Sequence, residues 1–226
     1  MVAVVLADEL VIPRVDTYAD FRAWTLSADF PRSGRIDFID GQIEVDMAPE
    51  RIYTHSLILT EVSFGIVAVV KSGDLGHVLS DRTRVCVPGR LSCEPDLSFV
   101  SWESLESGRV KYASAKKTPH DPFDFVEVRG GPDLVVEIVS PESVGKDTKR
   151  LPLAYFAAGV REFWLIDARG PKLSFIIHER GRTRWKAVKE SGDNFSRSAV
   201  LDHEFRLVRR AGRAPETFAY RLEGRG

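Results

Sequence analysis

Leu134-Val135-Val136-Glu137-Ile138-Val139 is an apolar run broken once, by a carboxylate, and its reading decides the fold. A strand with one wet face would alternate apolar with polar residues. This run does not, and so reads as a central strand covered on both sides. Ser140, Pro141 and Glu142 then open a helix expected to run to Ala158 and stop at Gly159. Glu162 to Ile166 follows as another buried strand, ended by Asp167 to Gly170. Strand, helix and strand in succession make a crossover, so part of the sheet is expected to be parallel.

Glu137 is the anomaly in this block. An unpaired charge in a buried strand costs several kcal/mol, so the side chain needs a metal, a cation or a proton, and a structural salt bridge would satisfy it equally. A second carboxylate, Asp96, opens another apolar strand in Pro95-Asp96-Leu97-Ser98-Phe99-Val100. Two carboxylates on neighbouring strands can converge on one divalent ion, since Asp and Glu supply the hard oxygens that such ions prefer. An ion held this way activates water and neutralises charge on a phosphoryl oxygen, which together amount to phosphodiester hydrolysis. A nearby lysine would orient the nucleophile or stabilise the pentacovalent state.

Elsewhere the chain punctuates itself clearly. Thr17 caps an expected helix from Tyr18 to about Ala28, with Phe21, Trp24 and Leu26 on its apolar side and Pro31, Ser33 and Gly34 after it. Arg35 to Ile39 and Gln42 to Met47 alternate across Asp40-Gly41, a tight-turn dipeptide, and predict a hairpin. Pro49 opens an apolar helix from about Glu50 to Lys71; its stretch Leu57 to Val70 is interrupted by Glu61, falls short of a bilayer span and reads as a buried helix. Strands are predicted at His77 to Leu79, Arg84 to Val87 and Leu97 to Val100, and a hairpin pairs Leu173 to His178 with Trp185 to Val188. Residues 102–131, with Lys116-Lys117 and Thr118-Pro119-His120-Asp121-Pro122, have no sustained period and read as a long surface excursion.

The motifs resemble a known group. Asp96 after Pro95, with Glu137 in a strand about forty residues later, looks like the split acidic pair of the PD-(D/E)xK nuclease superfamily. Pro132 to Pro141, Asp147, and Tyr155-Phe156-Ala157-Ala158-Gly159-Val160-Arg161-Glu162-Phe163-Trp164-Leu165-Ile166-Asp167 resemble the Uma-type restriction endonucleases, as do Ile39 to Ile43 and His55. The resemblance spans roughly residues 15–210. It implies an α/β (α+β) fold with a restriction-endonuclease-like mixed central β-sheet flanked by helices. It also implies a metal-dependent endonuclease acting on DNA, with Asp96 and Glu137 holding Mg²⁺ or Mn²⁺. The usual Glu-x-Lys ends here in Val139. The helix lysine that substitutes in this family falls at Leu151, four residues before Tyr155. Lys146 and Lys149 are the replacements available, although neither shares a face with Leu151 at 3.6 residues per turn. Without a working lysine, the chain would be an inactive nuclease-fold module that binds nucleic acid or protein.

His55 could carry a proton or touch substrate, or simply be packed in the core. Asp37 and Glu61 are candidates for further ligands or for solvated or paired carboxylates, and Tyr155, Phe163 and Trp164 belong to the core. Lys116-Lys117 and Arg209-Arg210 with Arg213 are candidate phosphate contacts.

Composition sets the outer bounds. The 226 residues, 43% hydrophobic and 29% charged, suit one globular domain. Lys plus Arg number 32 against 33 Asp plus Glu, so any DNA site must be a local patch. Cys86 and Cys93 are too few for a disulfide framework and read as free thiols in a reducing cytoplasm. Met1 to Leu6 runs into Asp8 and Glu9 and makes a poor signal peptide, so no membrane partner is expected. Cutting two DNA strands would suit a homodimer.

Overall fold

The computed structural model describes residues 12–31, 34–80, 82–114 and 123–226. Strands β1 (Arg35–Ile39) and β2 (Gln42–Asp46) pair antiparallel, with Ile39 opposite Gln42. Asp40 and Gly41 have φ of 44° and 87°, the two left-handed residues of a turn whose twist matches its strands. Before them, α1 (Tyr18–Thr25) is capped by Thr17. Its hydroxyl accepts from the Asp20 amide, while the Asp20 carboxylate accepts from the Thr17 amide. The helix ends three residues before Ala28, because Leu26 has already left helical geometry. Its Phe21 and Trp24 bury against Ile36 and Phe38.

The next strands complete a first sheet: β4 (Arg84–Val87), β5 (Leu91–Cys93), β7 (Lys111–Ser114) and β8 (Phe125–Arg129). Its order is β2-β1-β5-β4-β8-β7. This corrects the reading of 102–131 as a surface excursion. Helix α3 (Trp102–Glu106), β7 and β8 occupy much of it, and β8 pairs parallel with β4 and buries Glu127 and Val128. Five alternating residues between polar, Pro-rich neighbours are too short a period to stand out. Residues 115–122, including Lys116-Lys117 and His120, lie outside the described residues.

The second sheet contains the opening block. It is made of β3 (Gly76–Ser80), β6 (Leu97–Ser101), β9 (Leu134–Ile138), β10 (Glu162–Asp167), β11 (Ser174–Arg180) and β12 (Trp185–Ala187), in the order β12-β11-β10-β9-β6-β3. Every residue of β9 is buried, and β9 runs parallel to β10 with Glu137 opposite Leu165, while the other pairings are antiparallel. The mixed sheet flanked by helices is the architecture expected. The crossover between β9 and β10 is a π-wound turn, Lys146–Arg150, running into α4 (Leu151–Ala158), which Gly159 ends at φ 84°.

Another π-wound turn, Ile52–Ser56, leads into α2 (Leu57–Ser72). Only one stripe of α2 (Ile58, Val62, Ile66 and Val70) is buried, whereas Phe64 is 72% exposed, so the reading as a buried helix holds for one face alone. The run Ile52–Ser72 is, by length and composition, apolar enough to cross a membrane, with a mean hydropathy of 1.5; its inner stripe packs in a core with Leu97, Phe99 and Leu222.

A third, unanticipated sheet covers α2: β13 (Ser196–Ser198), β14 (His203–Ala211) and β15 (Phe218–Arg225). Here Glu61 accepts from the Leu222 amide at 3.0 Å, so it serves β15 and is not a ligand. Arg209 is likewise spent on the carbonyls of Ala168, Gly170 and Pro171, and Arg210 pairs with Glu223 at 2.7 Å. These partners oppose a phosphate role for that cluster.

Candidate active site

Asp96 sits in the link of three residues by which the chain leaves β5 of the first sheet and enters β6 of the second. Leu97 lies opposite Val136 on β9, so the register carried one step further brings Asp96 level with Glu137. Both Asp96 oxygens are engaged. Oδ1 accepts from Arg35 Nη1 at 2.6 Å and faces His55 Nε2 at 3.1 Å, and Oδ2 accepts from the Ile138 amide at 2.7 Å. Burial alone would raise its pKa. The His55 hydrogen bond and the Arg35 and His55 charges reverse that and hold it down to about 2.

Glu137 is equally buried and has the opposite bias. Burial, then the negative charges of Asp96 and Asp147, push its pKa well above the carboxylate range. Tyr155 donates its hydroxyl to Glu137 Oε1, and Cys93 Sγ lies 3.4 Å from the same hydroxyl. The Tyr155 ring is buried in the core, as expected. A buried phenol also needs a hydrogen-bond partner, and that signal could have pointed to Glu137.

Lys146 completes the group. Its Nζ lies 3.2 Å from Asp37 Oδ2, and Asp37 also accepts from the Glu94 amide at 3.1 Å. Burial disfavours the ammonium, but the charges of Asp37, Glu137 and Asp147 outweigh it and keep the lysine charged. Asp147, beside it, accepts from the Ser143 hydroxyl and is pushed up to about 6, mainly by burial. Lys149 is exposed and does not line the cavity that Lys146 lines. The winding explains the choice. Leu151 donates its amide to the Lys146 carbonyl, an i→i+5 bond that stacks residue 146 beneath residue 151, which a 3.6-residue turn would not do. Leu151 itself is core, packed with Val135 and Phe163.

His55 is buried against the site. Its Nδ1 lies 2.6 Å from Glu50 Oε2, close enough for an ion pair although not aligned as a hydrogen bond. Burial opposes its charge, yet Asp96 and Glu50 together raise its pKa above the usual value. Glu137, Lys146, Asp147, His55 and Arg35 line one cavity of about 210 Å³, and Asp96 stands just behind it. Sequence reasoning assigned no role to Arg35, which meets Asp96 across 61 residues, or to Glu50 and Asp147, which only the packed site sets beside His55 and Lys146.

The donor set fits a divalent ion. Carboxylates line one cavity, and at Glu137 burial and then the negative charges of Asp96 and Asp147 raise the pKa, which a bound cation would offset. Among the described residues no three His, Cys, Asp or Glu are placed to hold a metal ion together. Magnesium does not require one, since it commonly takes one or two carboxylates and keeps its waters.

Residues 18–210 match the model of the Uma2 family, described as "Putative restriction endonuclease". The chain belongs to the Uma2 family. The match spans both sheets and most of the third. This Uma2 chain is also similar to a solved structure described as a "putative nuclease belonging to DUF820 from Anabaena variabilis ATCC 29413", at a TM-score of 0.54 and 20% identity, over 74% of this chain and 83% of that one. That likeness shows a shared fold. No curated protein matches the chain.

Proposed function

We propose that this Uma2 protein is a divalent-metal-dependent endonuclease that hydrolyses phosphodiester bonds in DNA. The observation that carries the reading is that buried Glu137 and the charged Lys146, itself paired with Asp37, line one cavity beside Asp96. Asp96 and Glu137 would hold the ion, Mg²⁺ or Mn²⁺. When bound, it supplies an activated water and Lewis-acid stabilisation of phosphoryl charge.

The remaining work falls to the chain. Lys146, held charged by Asp37 and Asp147, presents a fixed cation for charge that develops at the reacting phosphate. Tyr155 fixes the Glu137 rotamer through its hydroxyl. Arg35 and His55 keep Asp96 ionised, and His55, with Glu50 on its other nitrogen, can hold or release a proton at Nε2.

A second reading rests on Asp96 itself. With both oxygens taken by Arg35, His55 and the Ile138 amide, the scaffold could bind nucleic acid or protein without cutting. Incubation of supercoiled plasmid with the purified chain and Mg²⁺ or Mn²⁺ separates the two. The endonuclease reading expects metal-dependent nicking that Glu137→Ala and Asp96→Ala each abolish. A folded wild-type protein that nicks with neither ion supports the binding module.

A further inference from the structure

The surface around the carboxylate cavity continues into a second hollow of about 380 Å³, lined by Leu79, Thr83, Tyr112, Phe125 and Val126. Arg82 lines both hollows. The second is a seam between sheet edges. Tyr112 lies on β7 at the margin of the first sheet, and His77 on β3 at the margin of the second. Their rings stack with centroids 5.7 Å apart, the Tyr112 hydroxyl lies 2.8 Å from His77 Nδ1, and Trp102 meets His77 edge-on at 4.6 Å. Phe125 continues the row, 6.3 Å from Tyr112.

These aromatics form a shelf that stays partly in water. Phe125 is 51% and Val126 40% exposed, although both belong to the strand that buries Val128 and Glu127. We propose that the shelf stacks an unpaired nucleobase of the DNA strand whose backbone occupies the carboxylate cavity. This rests on the reading of that cavity as a nuclease site and adds to it a substrate class: DNA with a single-stranded, gapped or frayed stretch beside the scissile bond. Aromatic rings stack on any base, which suits an apolar shelf with few groups that could read sequence. A base inside a duplex has both faces covered and offers none to the shelf.

Charge supports the same occupant. Arg82, between the hollows, stands where the phosphate joining the two nucleotides would pass, and a guanidinium fork matches phosphate oxygens. It sits at φ +58°, a backbone region that costs an L residue energy and is found disproportionately at binding sites. Among the described residues of the lining the acidic one, Glu127, is paired with Arg22 at 2.7 Å.

The test uses the full chain with Ca²⁺ in place of Mg²⁺, and two DNA hairpins, one blunt and one with a short overhang carrying 2-aminopurine. The overhang is expected to bind at least about fivefold more tightly, with its fluorescence quenched by stacking, because each stacked base contributes roughly 5- to 150-fold in affinity. Phe125→Ala should abolish both the preference and the quenching while leaving blunt binding unchanged, which also shows that the variant is folded. Tyr112→Phe, which keeps the ring, should retain both. Equal binding of the two hairpins, insensitive to Phe125→Ala, overturns the shelf and leaves the nuclease reading standing. Binding of neither hairpin overturns both. Phe125-dependent overhang binding by a protein that, with Mg²⁺ or Mn²⁺, cuts neither plasmid nor the overhang hairpin supports the shelf and overturns the nuclease reading.

Discussion

Two carboxylates are buried at opposite ends of the parallel strand pair in the second sheet: Glu162 at the start of β10, level with Leu134, and Glu137 near the end of β9. Glu162 accepts from the Trp164 indole at 2.7 Å, the Ser198 hydroxyl at 2.6 Å, and the Ala199 and Val200 amides at 2.9 and 3.3 Å. It ties the third sheet to the second and is not among the described residues that line the carboxylate cavity. Glu137 receives one hydroxyl, from Tyr155, and is surrounded by Asp96, Asp147 and Lys146 beside a cavity. A buried carboxylate that neighbouring donors satisfy is a structural link. One left in excess negative charge at an opening is poised for a ligand.

The contrast is broken most directly by activity. Glu137→Gln is expected to lower metal-dependent plasmid nicking by about 10³-fold, in the range seen when a group that stabilises transition-state charge is removed. Glu162→Gln should leave it within about threefold, because it touches nothing in the cavity. Comparable losses in both would mean that the two sites are not separable.

Stability should rank the two in reverse. Glu162→Ala strands an indole, a hydroxyl and two amides, and is expected to cost about 3 kcal/mol in urea unfolding. Glu137→Gln, measured in EDTA, should be neutral or stabilising, since the amide relieves a carboxylate disfavoured by burial and by neighbouring like charges. A strongly destabilised Glu137→Gln would make Glu137 another structural link.

A smaller activity effect tests the π-wound turn. Lys146→Ala should cost about 10- to 100-fold in nicking, and Lys149→Ala less than about twofold, although the two lysines are three residues apart. The opposite ranking would mean that the i→i+5 winding does not choose the lysine.

The smallest effect is on pH dependence. Burial raises the Glu162 pKa in the folded chain against the opposing hydrogen bonds of Ser198, Trp164, Val200 and Ala199. As pH rises, the unfolded chain therefore loses this proton first. The stability of wild type relative to Glu162→Gln should decline from about pH 4 upward and level off above the raised pKa, because it is the protonated form that folding favours. An increase across that range in paired urea titrations would reverse the assigned sign.

Much of the scaffold is legible in local chemistry. Asp40-Gly41 specifies its turn, Thr17 with Asp20 specifies a cap, and the run around Glu137 specifies a strand buried on both faces. What escapes is where charge and apolar alternation overlap. Phe125 to Arg129 and His203 to Ala211 place charged residues between apolar ones, so strands that complete the first and third sheets look like polar surface. Of the candidate site residues, the structure brings Asp96, Glu137, Lys146 and His55 together and leaves Lys149 outside.

By itself, then, the sequence determines a buried parallel strand pair joined by a helix, two carboxylates in apolar strands and membership of a nuclease-like family. These depend on periodicity, turn residues and motif spacing, all local properties. Which buried carboxylate is left short of positive charge, and which lysine answers it, only the tertiary structure decides. The partners that settle those questions are distant in the chain: Lys146 meets Asp37 across 109 residues and Arg35 meets Asp96 across 61. A pKa is set by every charge and every layer of protein around a group, and those surroundings exist only once the two sheets have packed.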